Sequence, residues 1–392
     1  MSAENNVPSI RFKGVSGEWD EKCLGDIGSL KNGMNFDKTA MGHGHPFVNL
    51  QDVFGKNEVS NNNLGLAFST VNQRKEYSLN EGDVLFIRSS VKPEGVGEAA
   101  VISKRLENTT YSGFIIRFRP NIDMDVNFNR FVYSTANSRR QILASSTSSA
   151  NSNINQDSLQ RIQLALPCKE EQTKIGNYFQ QLDTLIAQHQ QKHDKLLNLK
   201  AALLEKTFPK QGATVPEIRF KGFSGEWAQR AVVELCSIST GKNNTQDKIH
   251  DGEYPFYVRS ATVERSNNYL FDEEAVLTVG DGVGTGKVYH YVRGKYDLHQ
   301  RVYRMYDFNG VTGKYFYYYF SNNFYDRVMS MTAKTSVDSV RLVMISNMSI
   351  KLPVIEEQKN IAKLLSSLDT LLTQHQAQLK KLNNIKQACL EK

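Results

Sequence analysis

The stretch VGDGVGTGKV at residues 279–288 comes closest in this sequence to a loop that could bind a phosphate group. A P-loop needs a glycine five residues before a second glycine, which is followed by lysine and a hydroxyl residue. Here the residue five before Gly286 is Asp281, and Lys287 is followed by valine. The GxGxxG spacing fails as well, and the similar stretch GVGEAAV at 95–101 has no lysine. We therefore interpret both stretches as turns between strands.

Motifs of two enzyme classes that act on DNA are also missing from the sequence. An amino-methyltransferase holds its target amine in a [DNS]PP[YFW]-type loop, but none of the nine prolines follows another proline. A nuclease of the PD…(D/E)xK kind needs an anchored acidic cluster, yet no Pro-Asp dipeptide occurs and the DEK at 20–22 stands alone. The sequence therefore predicts no catalytic residues in this chain.

Histidine pairs with the spacing of metal ligands occur twice. His43 and His45 form an HxH pair without a third ligand, so we expect no metal there. His189 and His193 have the i, i+4 spacing of helical ligands, but a related segment described below has leucine, Leu379, in place of the second histidine. A structural role is the favoured interpretation of this second pair.

Composition indicates an ordinary globular protein with more than one domain. The chain has 392 residues, of which 40% are hydrophobic and 23% charged, and its longest apolar block is YFYYYF at 315–320. The polar N-terminus is unlike a secretory signal, and we expect a cytoplasmic protein. The net charge of +7 is spread along the chain and gives only weak support for nucleic-acid binding. The cysteines form no CxxC pair and predict free thiols: Cys23, Cys168, Cys236 and Cys389.

The sequence contains a tandem repeat. VPSIRFKGVSGEW at 7–19 and VPEIRFKGFSGEW at 215–227 are identical at eleven of thirteen positions. The segments 166–206 and 352–392 are identical at 21 of 41 positions, and both read LPxxEEQ…LDTL…QHQ…LEK. The chain therefore consists of two units that open and close alike. We expect the tryptophans of the opening segments, Trp19 and Trp227, to pack each domain start against a helix end.

Each closing segment is predicted to form one long helix. Acidic residues suit a first helical turn after Leu-Pro, and apolar residues recur with a period of 3.5, which is typical of a coiled coil. With a globular domain between them, the two helices are expected to pair antiparallel. Polar His189 and His375 interrupt the seam at equivalent positions and can specify its register. The predicted seam residues are Ile175, Leu182, Leu185, His189, Leu196, Leu199, Ile361, Leu368, Leu371, His375, Leu382 and Ile385.

The middles of the two units differ more than their ends. Short apolar runs bounded by glycine predict strands and turns, followed by helices at 131–144 and 316–329 and by polar loops at 145–153 and 333–339. The fold class is thus mixed α/β, with an internal repeat and pseudo-two-fold symmetry. The expected divisions are a first recognition domain at 1–165, a helix and linker at 166–210, a second domain at 211–350 and a second helix at 351–392.

This layout resembles the specificity subunit of Type I DNA restriction–modification systems. The resemblance covers nearly the whole chain and is carried by the tandem units, the LPxxEEQ helix starts, the LDTL…QHQ helix bodies and the divergent middles. It implies two target-recognition domains, each reading one half of a split sequence in double-stranded DNA, with the long helices as an antiparallel spacer. It also implies a non-catalytic subunit that recruits two modification (methyltransferase) subunits and, in the full complex, restriction subunits.

The resemblance places every cofactor on the partner subunits. S-adenosylmethionine, ATP and Mg are expected there, and no cofactor, metal or membrane is expected for this chain. A different class of function remains open, namely a coiled-coil scaffold with two protein-binding domains, as does a fused, self-sufficient enzyme.

Polar and basic residues in the loops of the middles could read base edges in the major groove, where arginine pairs with guanine and asparagine or glutamine with adenine. The predicted DNA-contacting residues are Arg88, Ser89, Lys92, Ser148, Asn151 and Asn153 in the first middle and Lys287, Gln300, Arg301, Arg304, Lys334, Thr335 and Ser336 in the second.

Overall fold

The computed structural model describes residue 8 and residues 10–148, 151–282, 284–331 and 339–391, apart from the side chains of Lys38 and Ser148. The fold is mixed α/β, as predicted. Two compact units divide the chain: unit 1 consists of Met1–Gln190 with Ala377–Lys392, and unit 2 of Gln191–Gln376. Each unit therefore takes residues from both long helices.

Unit 1 combines short strands with short helices and the first part of one long helix. Its strands are β1 Asp20–Cys23, β2 Gly28–Asn32, β3 Met41–Val48, β4 Gly65–Ala67, β5 Val84–Ile87, β6 Ser89–Ser90, β7 Ala99–Val101, β8 Thr110–Tyr111, β9 Ile115–Pro120, β10 Thr147–Ser148, β11 Ser152–Asn153 and β12 Gln163–Leu166. Its helices are α1 Leu24–Ile27, α2 Leu50–Val53, α3 Val71–Glu76, α4 Val126–Val132, α5 Ala136–Ala144, α6 Gln156–Gln160 and α7, which spans Lys169–Thr207 and continues into unit 2.

The central sheet of unit 1 has the strand order β2-β9-β5-β7 and is antiparallel. Strand β5 reads VLFI and is buried on both faces, since Val84 and Phe86 point into one apolar cluster and Leu85 and Ile87 into another. Strand β3 pairs with β4 and, in parallel, with β8, while β1 pairs with β12. A small sheet of order β10-β11-β6 continues from the end of β5.

Unit 2 follows the same plan with longer elements. Its strands are β13 Ala228–Ala231, β14 Ser237–Thr240, β15 Tyr254–Tyr257, β16 Val263–Ser266, β17 Phe271–Val279, β18 Tyr289–Leu298, β19 Val302–Tyr306 and β20 Ser349–Leu352. Its helices are α8 Val232–Leu235, α9 Gly313–Ser330, α10 Leu342–Ser346 and α11, which spans Ile355–Glu391 and ends in unit 1.

One continuous strand in unit 2 replaces two strands of unit 1. The sheet order is β14-β19-β17-β18-β15-β16, and β18 pairs antiparallel with β17 and parallel with β15. In unit 1 these two pairings belong to β7 and β8, which a loop separates. This replacement helps to explain why the second middle, 228–351, is shorter than the first, 20–165. The helical stretch that follows is single in unit 2, as α9, and divided into α4 and α5 in unit 1.

The two long helices pack antiparallel, as predicted. In unit 1 the first part of α7 packs through Phe179 and Leu182 against Leu382 and Ile385 of α11. In unit 2 the end of α7 and the start of α11 share one apolar cluster. The repeat is visible in the polar contacts too: Lys386 pairs with Asp183 at 2.6 Å in unit 1, and Lys200 pairs with Asp369 in unit 2. Each aspartate belongs to a copy of LDTL.

Three of the twelve predicted seam residues are wrong by one position. Leu185, Leu199 and Leu371 are 43, 48 and 41% exposed and do not lie in the seam. The inward positions of this series are one residue later in both helices: Phe179, Ile186, His193 and Lys200 in α7, and Leu365, Leu372, Leu379 and Lys386 in α11. The fourth predicted member of the series, Ile385, is half-buried and packs in the apolar cluster of unit 1. The other predicted series, which contains Leu182, Leu368 and both central histidines, is buried or half-buried. The inward spacing alternates four and three residues, starting from Ile175 and Ile361, so it remains a heptad seam.

The repeated opening segments fasten to the repeated EEQ sequences. Arg11 donates to both carboxylate oxygens of buried Glu171, at 2.8 and 2.7 Å, and Trp19 Nε1 donates to the same carboxylate at 3.1 Å. In unit 2, Arg219 donates to both oxygens of Glu357 at 2.8 Å. The hydrogen bond to each glutamate raises the pKa of its arginine. We call these two ion pairs the opening latches.

The glutamine of each EEQ sequence forms a hydrogen bond with the start of the preceding domain helix, α4 or α9. Gln172 accepts from Asp125 N at the start of α4 and donates to Pro167 O. Gln358 makes the same pair of contacts, with Thr312 N at the start of α9 and with Pro353 O. The second glutamate and the glutamine of LPxxEEQ are therefore structural residues that join the start of each long helix to its domain.

Candidate nucleic-acid interface

The predicted DNA-contacting residues of unit 1 gather where β5 leaves the core. Arg88 N donates to Phe114 O at 2.8 Å, and Arg88 O accepts from Ile154 N at 2.9 Å. These two hydrogen bonds fasten the end of β5 to the loop before β9 and to the segment after β11. We call this arrangement the strand-end frame. It leaves the side chains of Arg88 and Phe114 exposed.

Ser89, Asn153 and Thr147 form one row across the small sheet. Ser89 is opposite Asn153, which is opposite Thr147. Residues directly opposite in a sheet project to the same face, and the next row contains Ser90 and Ser152, which are buried. The first row therefore faces solvent. Asn153 Nδ2 donates to Asn151 O at 2.9 Å, which orients the amide.

Of the remaining predicted residues in unit 1, Ser148 lies opposite Ser152 in the small sheet, and Lys92 is exposed in the loop after β6. A serine turn sets the course of this loop, because Lys92 N donates to Ser90 Oγ at 3.2 Å. Arg139 of α5 anchors this loop by donating hydrogen bonds to Glu94 O at 2.7 Å and to Val96 O at 3.0 Å. Burial lowers the pKa of Arg139. The loop is thus anchored, and Lys92 forms no ion pair with the described residues.

Unit 2 contains the same strand-end frame with different side chains. Gly280 N donates to Arg301 O at 2.8 Å, and Gly280 O accepts from Val340 N at 2.7 Å. Gly280 occupies the place of Arg88, and Arg301 that of Phe114. The next residue, Asp281, pairs with Ser339 as Ser89 pairs with Asn153.

Two exposed arginines flank Asp281. Arg259 Nη1 lies 3.5 Å and Arg301 Nε 3.7 Å from its carboxylate oxygens. Both distances are long for charge-assisted hydrogen bonds, so the carboxylate orients the guanidinium groups without saturating them. One carboxylate between two guanidinium groups leaves the cluster with a net positive charge.

Lys287 and Gln300, two further predicted residues of unit 2, are also exposed. Lys287 Nζ lies 5.0 Å from the ring centre of Tyr325, within the range of a cation–π contact. Gln300 directly precedes Arg301 and donates through Nε2 to Asn244 Oδ1. The structure therefore brings Gln300 and Arg301 to the strand-end frame, with Lys287 at the end of the turn that follows β17.

Arg304 does not belong to this surface, and its prediction as a DNA contact is wrong. It is 8% exposed, bonds to Glu273, and lies between the rings of Phe271 and Tyr306, at 3.8 and 3.6 Å from their centres. It projects from the middle of β19 into the sheet face that also buries Val302. Its position inside an apolar run, VYRMY, is the sequence signal for this structural role. Lys334, Thr335 and Ser336 lie outside the described residues.

Sequence reasoning missed three side chains that the strand-end frames present. Thr147 was missed because it lies in the run SSTSS, where only the strand register determines which residues face outward. Phe114 was missed because it is apolar, and Arg259 because it lies far from the frame along the chain. The sequence signal for Phe114 was its place directly after Gly113.

The described residues contain no group of three or more histidine, cysteine, aspartate or glutamate side chains able to hold a metal ion. No helix in the described part of the chain has the length and apolar character needed to cross a membrane.

Comparison with known proteins agrees with this duplicated architecture. The family model for the Type I restriction modification DNA specificity domain matches residues 16–198 and matches again at residues 224–384. The chain belongs to this family. Each of its two specificity domains contains one strand-end frame and the larger part of one long helix.

Three curated relatives are specificity subunits of Type I restriction enzymes. The EcoDI subunit of Escherichia coli is 30% identical over 162 residues, which are 41% of this chain and 35% of that protein. The EcoKI subunit of Escherichia coli strain K12 is 25% identical over 232 residues, 56% of this chain and 49% of that protein. The MjaVIII subunit of Methanocaldococcus jannaschii is 25% identical over 192 residues, 46% and 43% of the two chains. The matches thus span less than half the length of these relatives.

Two solved structures share the fold over nearly their whole length. The S subunit of a Type I restriction–modification system from M. genitalium matches with a TM-score of 0.67 at 13% identity, covering 99% of this chain and 98% of that one. A chain from a structure of complex assembly in a type I R-M system matches with a TM-score of 0.52 at 14% identity, covering 98% of both chains. At these identities the matches show the fold alone.

Proposed function

We propose that this chain is the non-catalytic specificity subunit of a Type I restriction–modification complex. Each specificity domain reads one half of a bipartite, asymmetric target in double-stranded DNA. The long helices set the spacing between the half-sites and dock two modification subunits. S-adenosylmethionine, ATP and Mg belong to the partner subunits, and the complex works in the cytoplasm. The domain divisions follow from this proposal, with recognition at 1–165 and 211–350 and spacing at 166–210 and 351–392.

The observation that carries the proposal is the pair of strand-end frames. Both units build the same backbone frame, yet different side chains occupy it: Arg88, Ser89 and Phe114 in unit 1, and Gly280, Asp281 and Arg301 in unit 2. A scaffold that is kept while its exposed side chains change is suited to recognising two ligands of one class. Two halves of an asymmetric DNA sequence are such ligands.

The chemistry of these side chains suits base edges and phosphates. The oriented amide of Asn153 can pair with adenine, and exposed Phe114 can contact a thymine methyl group. Arg259 and Arg301 can pair with guanine or with phosphates. The small excess of positive charge agrees with a subunit that binds DNA together with partners.

Docking of two identical partners is supported by one repeated exposed leucine. Leu185 and Leu371 are the second leucines of the two LDTL copies, and both are more than 40% exposed on helices that bury their neighbours. An apolar side chain kept on the surface at equivalent places of two repeats fits two equivalent interfaces. We assign these leucines to the contact with the modification subunits.

Single-molecule methylome sequencing of a host that carries this chain with its modification subunit tests the DNA assignment. Replacing residues 20–165 with the middle of another specificity subunit should change one half of the methylated sequence and leave the other half intact. Unchanged methylation in both halves would refute the proposal. A complex without sequence-selective DNA binding would instead favour the scaffold with two protein-binding domains, and methyl transfer by the purified chain would favour the self-sufficient enzyme.

A matched pair of point variants makes the test sharper. Arg301→Ala should weaken binding about 10–100-fold at a target with the preferred base, because one good base contact contributes about 1–3 kcal/mol. Arg293→Ala is the control, because Arg293 is an exposed arginine of the same unit. It lies opposite Glu274, about 20 Å along the sheet from Asp281. Equal effects of the two substitutions would count against a base contact at Arg301.

The docking assignment has its own experiment. Leu185→Asp and Leu371→Asp should each reduce the number of bound modification subunits from two to one, and the double variant should bind none. Native mass spectrometry of the assembled complex counts the subunits directly. Two bound subunits in the double variant would contradict the assignment and leave the DNA proposal untouched.

A further inference from the structure

The turn between β18 and β19 presents two of the exposed side chains predicted to contact DNA, those of Gln300 and Arg301. His299 directly precedes them and is buried, with 3% of its surface exposed. Its Nδ1 accepts a hydrogen bond of 3.0 Å from Arg301 N. Because Nδ1 accepts here, the imidazole is neutral and its proton lies on Nε2.

Unit 1 contains the same turn with a different acceptor. Ser112 occupies the place of His299, and its Oγ accepts from Phe114 N at 3.3 Å. The backbone contacts match as well. Ser112 N donates to Val48 O, at the end of β3, over 3.0 Å, and His299 N donates to Tyr257 O, at the end of β15, over the same distance. Each unit therefore holds one exposed residue of its strand-end frame through the side chain two residues before it.

Buried polar contacts fasten the turn of unit 2 to the sheet. Gln300 N donates to Asn243 O at 2.9 Å. Asn243 Nδ2 donates to both carboxylate oxygens of Asp297, at 2.8 and 2.9 Å, and Asp297 is fully buried. The start of the turn is thus fixed, and the imidazole of His299 joins Arg301 to it.

Charged side chains from several segments of unit 2 act on His299, among the residues that the structure describes. Burial lowers the pKa of His299 below its ordinary value of 6.5, and so do the guanidinium groups of Arg259 and Arg301. The carboxylates of Asp281 and Asp247 act in the opposite direction without reversing the shift. The ring is therefore neutral at pH 7. Acidification adds a proton at Nδ1, which then directs a second donor at the N–H of Arg301.

We propose that His299 is a positioning residue for DNA recognition by unit 2. As a neutral acceptor it holds the N–H of Arg301 and thereby fixes the direction in which the guanidinium group leaves the strand-end frame. Ser112 does the same for Phe114 in unit 1 through a hydroxyl group, which does not titrate near neutral pH. Recognition of one half-site is therefore sensitive to acid, and recognition of the other is not. This inference rests on the proposed function, because it needs a DNA target that unit 2 reads.

The first test measures how well the complex assembled with its modification subunits distinguishes two DNA duplexes. One carries the methylated target, and the other differs from it only in the half-site read by unit 2. His299→Ala should reduce the ratio of the two affinities about 3–10-fold, which is the effect of one lost hydrogen bond. His299→Asn should restore the ratio, because asparagine Oδ1 offers an acceptor in the place of Nδ1.

The outcomes separate this inference from the proposed function. An unchanged ratio in His299→Ala, measured beside a selective wild-type complex, would overturn the role of His299 alone. A wild-type complex that binds both duplexes equally would refute the proposed function itself. In an Arg301→Ala background, His299→Ala should change the ratio by less than about twofold, because its effect passes through Arg301. A full further loss would show that His299 supports the fold and does not position Arg301.

The second test follows the same affinity ratio from about pH 7.5 to about pH 5. The ratio should fall for the wild type and stay constant for His299→Asn. His250, an exposed histidine of the same unit, provides the control, and His250→Asn should follow the wild type. Identical profiles for the wild type and His299→Asn would overturn the proposal. Tighter binding in acid that His299→Asn abolishes would also overturn it, because a protonated histidine on a phosphate gives that result.

Discussion

The opening latch of unit 2 gives a prediction that can be worked through from its geometry. Glu357 is buried, and its two carboxylate oxygens each accept one hydrogen bond of 2.8 Å from Arg219. Glu357→Gln keeps the size of the side chain but removes its charge and turns one acceptor into a donor that faces the guanidinium group. Arg219 then remains as a positive charge without its counter-ion.

The size of the expected stability loss follows from the burial of Glu357 and Arg219. Breaking a fully buried ion pair costs about 3–5 kcal/mol. The side chain of Arg219 is 17% exposed and keeps two backbone acceptors, Gly225 O at 2.6 Å and Ser224 O at 3.1 Å. We therefore expect a loss of about 2–3 kcal/mol in the free energy of unfolding of this region, which corresponds to a fall in Tm of about 5–10 °C.

Thermal unfolding and limited trypsin digestion measure this effect together. Trypsin cuts after Arg219 and Lys221, and the rate of these cuts follows the population of the open latch, so it should rise about 30–150-fold. The equivalent sites of unit 1, Arg11 and Lys13, should be cut at the unchanged rate. They serve as an internal control because their own latch is intact.

The neighbouring glutamate provides a control variant. Glu356 is exposed and pairs with Lys359 at 3.2 Å, three residues further along the helix surface. Glu356→Gln should change the free energy of unfolding by less than about 0.5 kcal/mol. If Glu357→Gln is no more destabilising than Glu356→Gln, the latch does not stabilise the domain and our reasoning about the repeated motif is refuted.

Three further predictions concern the seam, a buried arginine and pH. Leu182→Ala should lower the free energy of unfolding in urea by about 2–4 kcal/mol, whereas Leu185→Ala should change it by less than about 1 kcal/mol; equal losses would contradict the corrected seam. Arg304→Ala should destabilise unit 2 by about 2–3 kcal/mol by leaving Glu273 without its counter-ion, and should leave the methylated sequence unchanged; an altered sequence would contradict the structural role of Arg304. Burial lowers the pKa of His290 below its ordinary value of 6.5. The unfolded chain therefore takes up this proton first, and stability is lost as the pH falls below about 6.5. His290→Phe should reduce the slope of stability against pH between about 6.5 and 5, and an unchanged slope would show that this histidine does not contribute to it.

The repeated ends of the sequence were sufficient to predict the helices and their antiparallel pairing. Periodicity alone could not choose between two seam registers, because α7 and α11 contain adjacent apolar residues such as Leu203 with Leu204 and Leu371 with Leu372. Both choices give an apolar stripe. Tertiary contacts decide between them, such as the stacking of Phe179 in α7 on Phe131 in α4 with the ring centres 4.9 Å apart.

The exposed surface around the strand-end frames, which we propose as the DNA contact, was predicted in part. Ser89 and Asn153 were identified from their polar loops, and the sheet places them side by side. Thr147 and Arg259 could not be found in this way, because strand register and a distant loop bring them to the surface. Arg304 was misassigned because residue type was considered without its place in a buried strand, where a guanidinium between two rings is structural.

The division of α11 between the two units has a consequence for how the protein is made. Unit 1 contains Met1–Gln190 but is completed by Ala377–Lys392, which are synthesised after all of unit 2. Domains usually fold in the order of their synthesis. Here the first recognition domain acquires the apolar residues Leu382, Ile385 and Leu390 only after the second has been translated. A premature stop codon between those of Ala377 and Leu382 would therefore damage the domain that was synthesised first.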